Sequence, residues 1–255
     1  MRRTRQYTNV FFTSEGIRKS FAFFEEALLT DLHKRYLVKE FVIELGSLLL
    51  EYETEEDLFK VYIPGVTTVI YKKTFLDYEF MLYTSERSTY VGLKAQTLAR
   101  MVPVFQYIDS LIPSTTLTRE EALKKALPLV LVIHGHDEQW KDLVSYLYLR
   151  HGYAVKPFDL EHLRIHEIRE LVKLAGRDNI IAFCHLGQGD LEGVSWVEAD
   201  RNLRELLGTE RVVLICPESR SIRMPAVSNE AIFFAPGRIK EVFWLVLNKV
   251  RRSLA

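Results

Sequence analysis

From residue 129 onward, short apolar runs alternate with stretches of helical spacing, and that alternation restricts the fold more than any other feature. The run Leu129–His134 is apolar without interruption up to its last residue, the pattern of a strand covered on both faces. Further strands are predicted at 154–158, 179–186, 211–216 and Ala231–Phe234. Helical spacing fills the gaps at 138–150, 165–174 and 196–207, with a last helix at 238–252. His151-Gly152, Gly176 and Gly208 stand where the first three helices should stop. Five strands, each feeding a helix or loop, predict an α/β domain at 128–255 with a flavodoxin-like five-stranded parallel sheet.

Residues 1–112 have a different character. Helical spacing from Ser14 to about Tyr36 gathers Phe21, Phe24, Leu28, Leu29 and Leu32 on one face. Runs rich in Val, Ile, Tyr and Phe at 38–52, 67–72, Tyr78–Thr84 and 89–94 read as strands. A helix at 95–111 carries Leu98, Met101, Val102, Phe105 and Ile108, with Pro103 kinking it or marking its first turn. Helix, antiparallel strands and helix make a smaller α+β domain. It holds no cluster of His, Cys or carboxylates with ligand or catalytic spacing, so an accessory or oligomerising role is expected. Residues 113–127 read as a Pro- and hydroxyl-rich linker followed by a short helix, which Thr118 and Glu121 open with the spacing of a capping box.

At 255 residues, with 48% hydrophobic and 27% charged, the chain is long enough for two modest domains with packed cores. Lys and Arg total 34, as do Asp and Glu, so bulk-charge binding of nucleic acid is not expected. Two cysteines, Cys184 and Cys216, are too few for a disulfide framework, and both fall inside predicted strands as buried apolar groups. No apolar run reaches the ~18 residues of a membrane span, and no secretory signal core follows the basic N-terminus. A cytoplasmic protein without membrane attachment is expected.

In a sheet of this kind, ligands bind beyond the carboxyl ends of the strands. The polar residues of the domain concentrate there, at 134–137, 159–164, 185–190 and 217–223. In His134-Gly135-His136-Asp137, Gly135 lets the backbone approach a ligand and Asp137 is placed to cap the following helix. A helix N-terminus offers N–H groups suited to phosphate or carboxylate; a plain polar strand-to-helix turn has the same residues. A metal reading would combine His134, His136, His162, His166 and His185. It lacks the further spacing of binuclear hydrolases and any Cys pair, so no metal is expected. Gly193-Val194-Ser195-Trp196-Val197 misses the closing glycine of a serine-hydrolase elbow. Neither a dinucleotide fingerprint nor a phosphate loop ending in Gly-Lys-Ser/Thr is present, and the Gly-x-Gly at Gly187-Gln188-Gly189-Asp190 is a weak signal alone.

The run from Val130 through His134-Gly135-His136-Asp137-Glu138, then a helix, a glycine at 152 and a second strand, resembles the bacterial TIR-like (Toll/interleukin-1 receptor-like) nucleotide-binding domain. The resemblance continues as an order of elements to about residue 250, with Leu207-Gly208-Thr209-Glu210-Arg211-Val212 similar to the entry into the fourth strand. The N-terminal part resembles the α+β domain that precedes it in some members. The family implies nucleotide binding and, in its anti-phage effectors, cleavage of NAD to nicotinamide and an ADP-ribose product. NAD would then be a substrate, with no resident cofactor.

The resemblance further implies a homo-oligomer and an activating signal or protein partner. It places the catalytic Glu on the third helix, where Glu198 stands beside Trp196, with Asp200 the other carboxylate of that turn. Nucleotide-binding positions are then His134, Gly135, His136, Asp137, Arg164, His185, Asp190 and Trp196. Arg164 occupies the loop that gates the family's pocket, and His185 to Asp190 replaces its Thr-Pro-Asp-Asp. Two alternatives stay open: an inactive TIR-like module binding a nucleotide or protein, and a nucleoside deoxyribosyltransferase-like enzyme.

Overall fold

The computed structural model describes residues 1–29, 37–85, 87–187, 190, 195–218 and 231–253. They form two units, Met1–Lys125 and Ala126–Ala255. Leu32 and the expected end of the first helix lie outside the described residues, as do Gln188, Gly189, Gly193, Val194 and much of the loop after residue 217.

The first unit is built on a six-stranded antiparallel sheet. Its strands are β1 (Arg2–Thr8), β3 (Leu37–Leu45), β4 (Leu48–Glu51), β5 (Thr68–Phe75), β6 (Tyr78–Thr84) and β7 (Ser88–Lys94), in the order β1-β7-β6-β5-β3-β4. A separate pair joins β2 (Phe11–Phe12) to β8 (Thr116–Leu117). The expected strand at 38–52 is a hairpin turning at Gly46, and β1 pairs with β7 along its whole length although its sequence is mostly polar, with three arginines. Helices α1 (Ser14–Leu28), α2 (Glu55–Val61) and α3 (Leu98–Thr115) cover one side of the sheet. Thr13 opens α1 and Thr54 opens α2, each hydroxyl accepting a backbone N–H from the first turn.

The core of this unit is aromatic. Phe21 and Phe24 of α1 meet Phe75 and Phe80, with ring centroids 5.5–6.4 Å apart. Truncating a ring such as Phe80 to Ala would cost about 3–5 kcal/mol. Lys73 enters this core with its ammonium 3.7 Å from the Phe21 ring centroid and 2.7 Å from Glu55 Oε2, so its charge is matched where it is buried.

Pro103 and Pro113 both lie inside α3. The buried stripe of that helix is Met101, Val104, Phe105, Ile108 and Leu111, whereas Leu98 and Val102, expected on the core face, are exposed. Apolar burial along one stripe offsets the backbone hydrogen bonds that proline removes. The segment expected to be a linker thus finishes α3, contributes β8 and continues into α4 (Arg119–Ala126). Thr118 and Glu121 form a reciprocal cap there: Glu121 N–H donates to Thr118 Oγ1 at 3.3 Å and Thr118 N–H donates to Glu121 Oε2 at 2.8 Å.

The second unit is α/β. Its strands β9 (Leu129–His134), β10 (Ala154–Asp159), β11 (Ile180–His185), β12 (Val212–Pro217) and β13 (Ala231–Phe234) form an all-parallel sheet ordered β10-β9-β11-β12-β13. This is the flavodoxin-like order 2-1-3-4-5 that the alternating pattern predicts. Every residue of β9, β11 and β12 is buried, as continuous apolar runs require.

The helices of this unit are α5 (Trp140–Ser145), which continues as a π-helical turn through Arg150, α6 (Ile165–Ala175), α7 (Ser195–Leu207) and α8 (Phe243–Ser253). Gly176 and Gly208, at φ 82° and 97°, follow α6 and α7 in backbone conformations that side-chain-bearing residues rarely adopt. Among the described residues no helix is long and apolar enough to cross a membrane.

Candidate functional site

Parallel register brings three strand ends level, so that His134 of β9 stands between Asp159 of β10 and His185 of β11. His134 is buried, and its ring stacks on Trp140 with centroids 3.9 Å apart and planes 6° from parallel. Burial lowers its pKa, and in the neutral ring the Nδ1–H donates to the Gly135 carbonyl at 3.1 Å. His185 has no exposure at all. Neither ring nitrogen has a hydrogen-bond partner among the described residues, and burial pushes its pKa down to about 4. It is neutral at pH 7, and Phe234 stacks beside it at 5.8 Å.

Asp190 organises the turn after β9. Its Oδ1 accepts the His136 backbone N–H at 3.3 Å and lies 3.1 Å from His136 Nδ1, while Oδ2 accepts the Gly187 N–H at 2.8 Å. Burial opposes its charge, but these donors outweigh burial and hold its pKa below the ordinary value. His136 is three-quarters exposed, with Glu161 3.4 Å from Nε2. The hydrogen bond to Asp190 and the nearby Glu161 raise its pKa. Asp137, expected to cap a helix starting near Glu138, accepts Gln139 N–H at 2.9 Å and Gln139 Nε2 at 2.7 Å, but the helix starts later, at Trp140, with Gln139 at its N-cap, so Asp137 closes the turn before it. Its carboxylate is therefore engaged with the start of the following helix.

The segment after β10 links this cluster to a second one. Leu160 N–H donates to the His134 carbonyl at 2.8 Å, and Asp159 Oδ2 lies 3.2 Å from His162 Nδ1. Leu160, Leu163 and Ile165 then line a cleft of about 200 Å³ with Glu198, Ala199 and Asn202 of α7. Glu198 is exposed. Arg164, in the same segment, is 70% exposed, with its guanidinium 3.5 Å from Glu167 on its own helix. Trp196 is buried at the start of α7.

Asp200 and Glu198 have different surroundings although they share a helical turn. Asp200 is buried and accepts Arg204 Nε at 2.8 Å, and Arg204 in turn donates to the Thr209 carbonyl at 3.0 Å. The i,i+4 spacing of Asp200 and Arg204 could have shown this pair in advance. The contribution of Glu161 to His136 has no such local signal. Among the described residues, no group of three His, Cys, Asp or Glu side chains is arranged to hold a metal ion.

The sheet's carboxyl edge thus carries two adjoining clusters: a polar turn of His134 to Asp137 with His185 and Asp190, and a cleft of mixed lining containing Glu198. Comparison with protein-family models and with curated protein sequences finds no match.

Proposed function

We propose that the second unit is a TIR-like nucleotide-binding domain that cleaves NAD to nicotinamide and an ADP-ribose product, with Glu198 as the catalytic carboxylate. The observation that carries this reading is the placement of Glu198. Its carboxylate is exposed, makes no hydrogen bond or ion pair among the described residues, and lines a cleft walled by Leu160, Leu163 and Ile165. Ligand pockets for drug-sized molecules typically measure about 300–1,000 Å³, so a cleft of about 200 Å³ suits one end of a dinucleotide.

In the reaction, the bond between ribose C1′ and the nicotinamide nitrogen breaks, and its electron pair leaves with the neutralised ring. Glu198 stabilises the positive charge that develops on the ribose, and water adds to C1′ with loss of a proton. His136, whose protonated form Asp190 and Glu161 favour, supplies positive charge for the diphosphate at the neighbouring turn. In this reading the chain serves anti-phage defence, its activity awaiting self-assembly and an activating signal or protein partner.

A second reading, a nucleotide-binding module without chemistry, is favoured by the engagement of Arg164 with Glu167 and of Asp190 with loop N–H groups. Incubating the concentrated chain with NAD and measuring free nicotinamide separates the two. Release that Glu198→Gln abolishes supports catalysis; NAD binding without release supports the module.

A further inference from the structure

In the second unit, α8 packs beside the π-helical end of α5, where the Tyr146 and Phe243 rings meet with centroids 4.6 Å apart. Val246, Leu247 and Val250 complete the inward stripe of α8, so Trp244 and Leu245 are not needed for the core. Trp244 is 60% exposed and forms a wall shared by two cavities. The one toward α5 measures about 550 Å³ and is walled by Tyr146, Leu149 and Phe243. The other, of about 340 Å³, opens toward β12 and β13 and is walled by Val213, Ile232 and Leu245. The π-helical turn Tyr146–Arg150 borders the larger cavity, and turns of this kind are rare and frequent at functional sites.

The charge around these cavities is one-sided. Arg150 and Lys240 line the larger, Lys249 and Arg252 the smaller, and Asp142 is the single carboxylate among the lining residues. Asp142 lies 3.2 Å from Lys240, so it is already matched. Four cations against one carboxylate leave a local excess of three positive charges in a chain whose acidic and basic side chains balance. Arg150 and Arg252 are exposed, so each stands at the rim of its apolar recess.

We propose that this surface docks an acidic peptide segment of another protein, which sets one bulky apolar side chain in each cavity and its carboxylates against the rim cations. Trp and Arg most often dominate binding energy at interfaces, and here Trp244 serves both cavities while Arg150 lines one and Arg252 the other. A bilayer would rest on the exposed indole and leave both recesses empty. A nucleic-acid strand would find the cations but not a use for the aliphatic walls of Leu149, Leu245 and Ile232, since its bases bind by stacking. Apolar side chains flanked by carboxylates match the recesses and the charge together. The chain's own acidic stretch, Glu51 to Asp57, does not supply them, because Leu58 is buried in the first unit and Phe59 stacks on Tyr71 at 5.8 Å. The surface shares no residue with the nucleotide turn or the Glu198 cleft, and the proposal does not depend on NAD cleavage.

A display library of random peptides about 12 residues long, selected on the full chain and counter-selected on Trp244→Ala, tests it. Enriched sequences should combine two bulky apolar residues with several Asp or Glu, and synthetic copies should bind at micromolar concentration. Trp140 and Trp196 are buried, so acrylamide quenching of the chain's fluorescence reports chiefly on Trp244, and bound peptide should protect it. Trp244→Ala should weaken binding at least tenfold, and Arg150→Glu and Arg252→Glu several-fold each, with melting curves unchanged. Raising the salt to half molar should also weaken it several-fold. No enrichment over the Trp244→Ala chain overturns the proposal, as do enriched peptides that are basic or indifferent to both arginine variants. A Trp244 that acrylamide cannot reach in the free chain overturns it as well. So does tight binding to phosphatidylglycerol vesicles that the selected peptides fail to displace, which would make the surface a lipid site.

Discussion

The carboxylate of Asp190 occupies the space that a side chain on Gly135 would need: a Cβ built there would lie 1.9 Å from Asp190 Oδ2. Fifty-five positions apart in the chain, the two residues fit only because one of them lacks a side chain. Gly187 repeats the relationship on the opposite loop, where an added Cβ would meet Asp137 Cβ at 2.8 Å. Two glycines therefore let the turns after β9 and β11 close on one carboxylate.

Gly135→Ala should accordingly destabilise the second unit by about 1–3 kcal/mol, the usual cost of overpacking a well-filled site. Asp190 cannot retreat without giving up its hydrogen bonds to the His136 and Gly187 N–H groups. In an Asp190→Ala background the same Gly135→Ala change should be nearly neutral. Denaturant unfolding of the four chains measures the coupling, and strictly additive effects would refute it.

The two acids of α7 should separate in a paired experiment. Glu198→Gln should leave the melting temperature unchanged, since its carboxylate is exposed, and should lower nicotinamide release at least a hundredfold. A lost transition-state charge contact is typically worth on the order of 3 kcal/mol. Asp200→Asn should instead lower stability by about 1–3 kcal/mol, because Arg204 keeps a buried charge without its counter-ion. Near-normal release from the Glu198 variant would remove that residue from the mechanism.

Where local chemistry decides the structure, it was legible in the sequence. The bounds of β9 and β13 coincide with the apolar runs, and Thr118 with Glu121 forms the cap that their spacing predicts. β1 was not legible, because it is an edge strand whose arginines find partners on other elements. Arg5, for example, reaches Asp109 and the Phe105 ring on α3. The same distinction holds in the site. The turn at Gly135 and the local hydrogen bond of Asp137 to Gln139 follow from neighbouring residues, whereas the fit of Asp190 against Gly135 is a tertiary contact with no local signature. Arg164, expected among the nucleotide-binding positions, is exposed, with Glu167 three positions along its own helix beside its guanidinium.

Stability should fall on acidification through the imidazole of His185. Its folded pKa of about 4 lies below the ordinary value of about 6.5, so the fold favours the neutral ring. The stabilisation is fully present above pH 6.5 and declines as pH drops toward 4, a total of about 3 kcal/mol for this shift. His136, whose pKa is raised, acts in the opposite sense and loses its contribution as pH increases through its folded pKa. Melting curves between pH 7.5 and 4.5 should flatten in His185→Phe, which keeps a ring in the buried space and removes the titration. An unchanged pH profile in that variant would show that His185 is not the group responsible.

Nucleotide binding should register in one half of the chain only. All three tryptophans, Trp140, Trp196 and Trp244, belong to the second unit, so their fluorescence reports its unfolding without a contribution from the first. Trp140 also stacks on His134, at the turn proposed to hold the nucleotide, so bound ligand should perturb its emission directly. A ligand that binds only the folded state stabilises it by about 2.7 kcal/mol at a hundredfold excess over its dissociation constant. NAD or ADP-ribose at millimolar concentration should therefore raise the fluorescence-detected melting temperature by several degrees, and Asp190→Ala, which releases the turn, should reduce that gain. If NAD, ADP-ribose and ATP all leave the tryptophan transition and emission unmoved, the second unit does not bind adenine nucleotides.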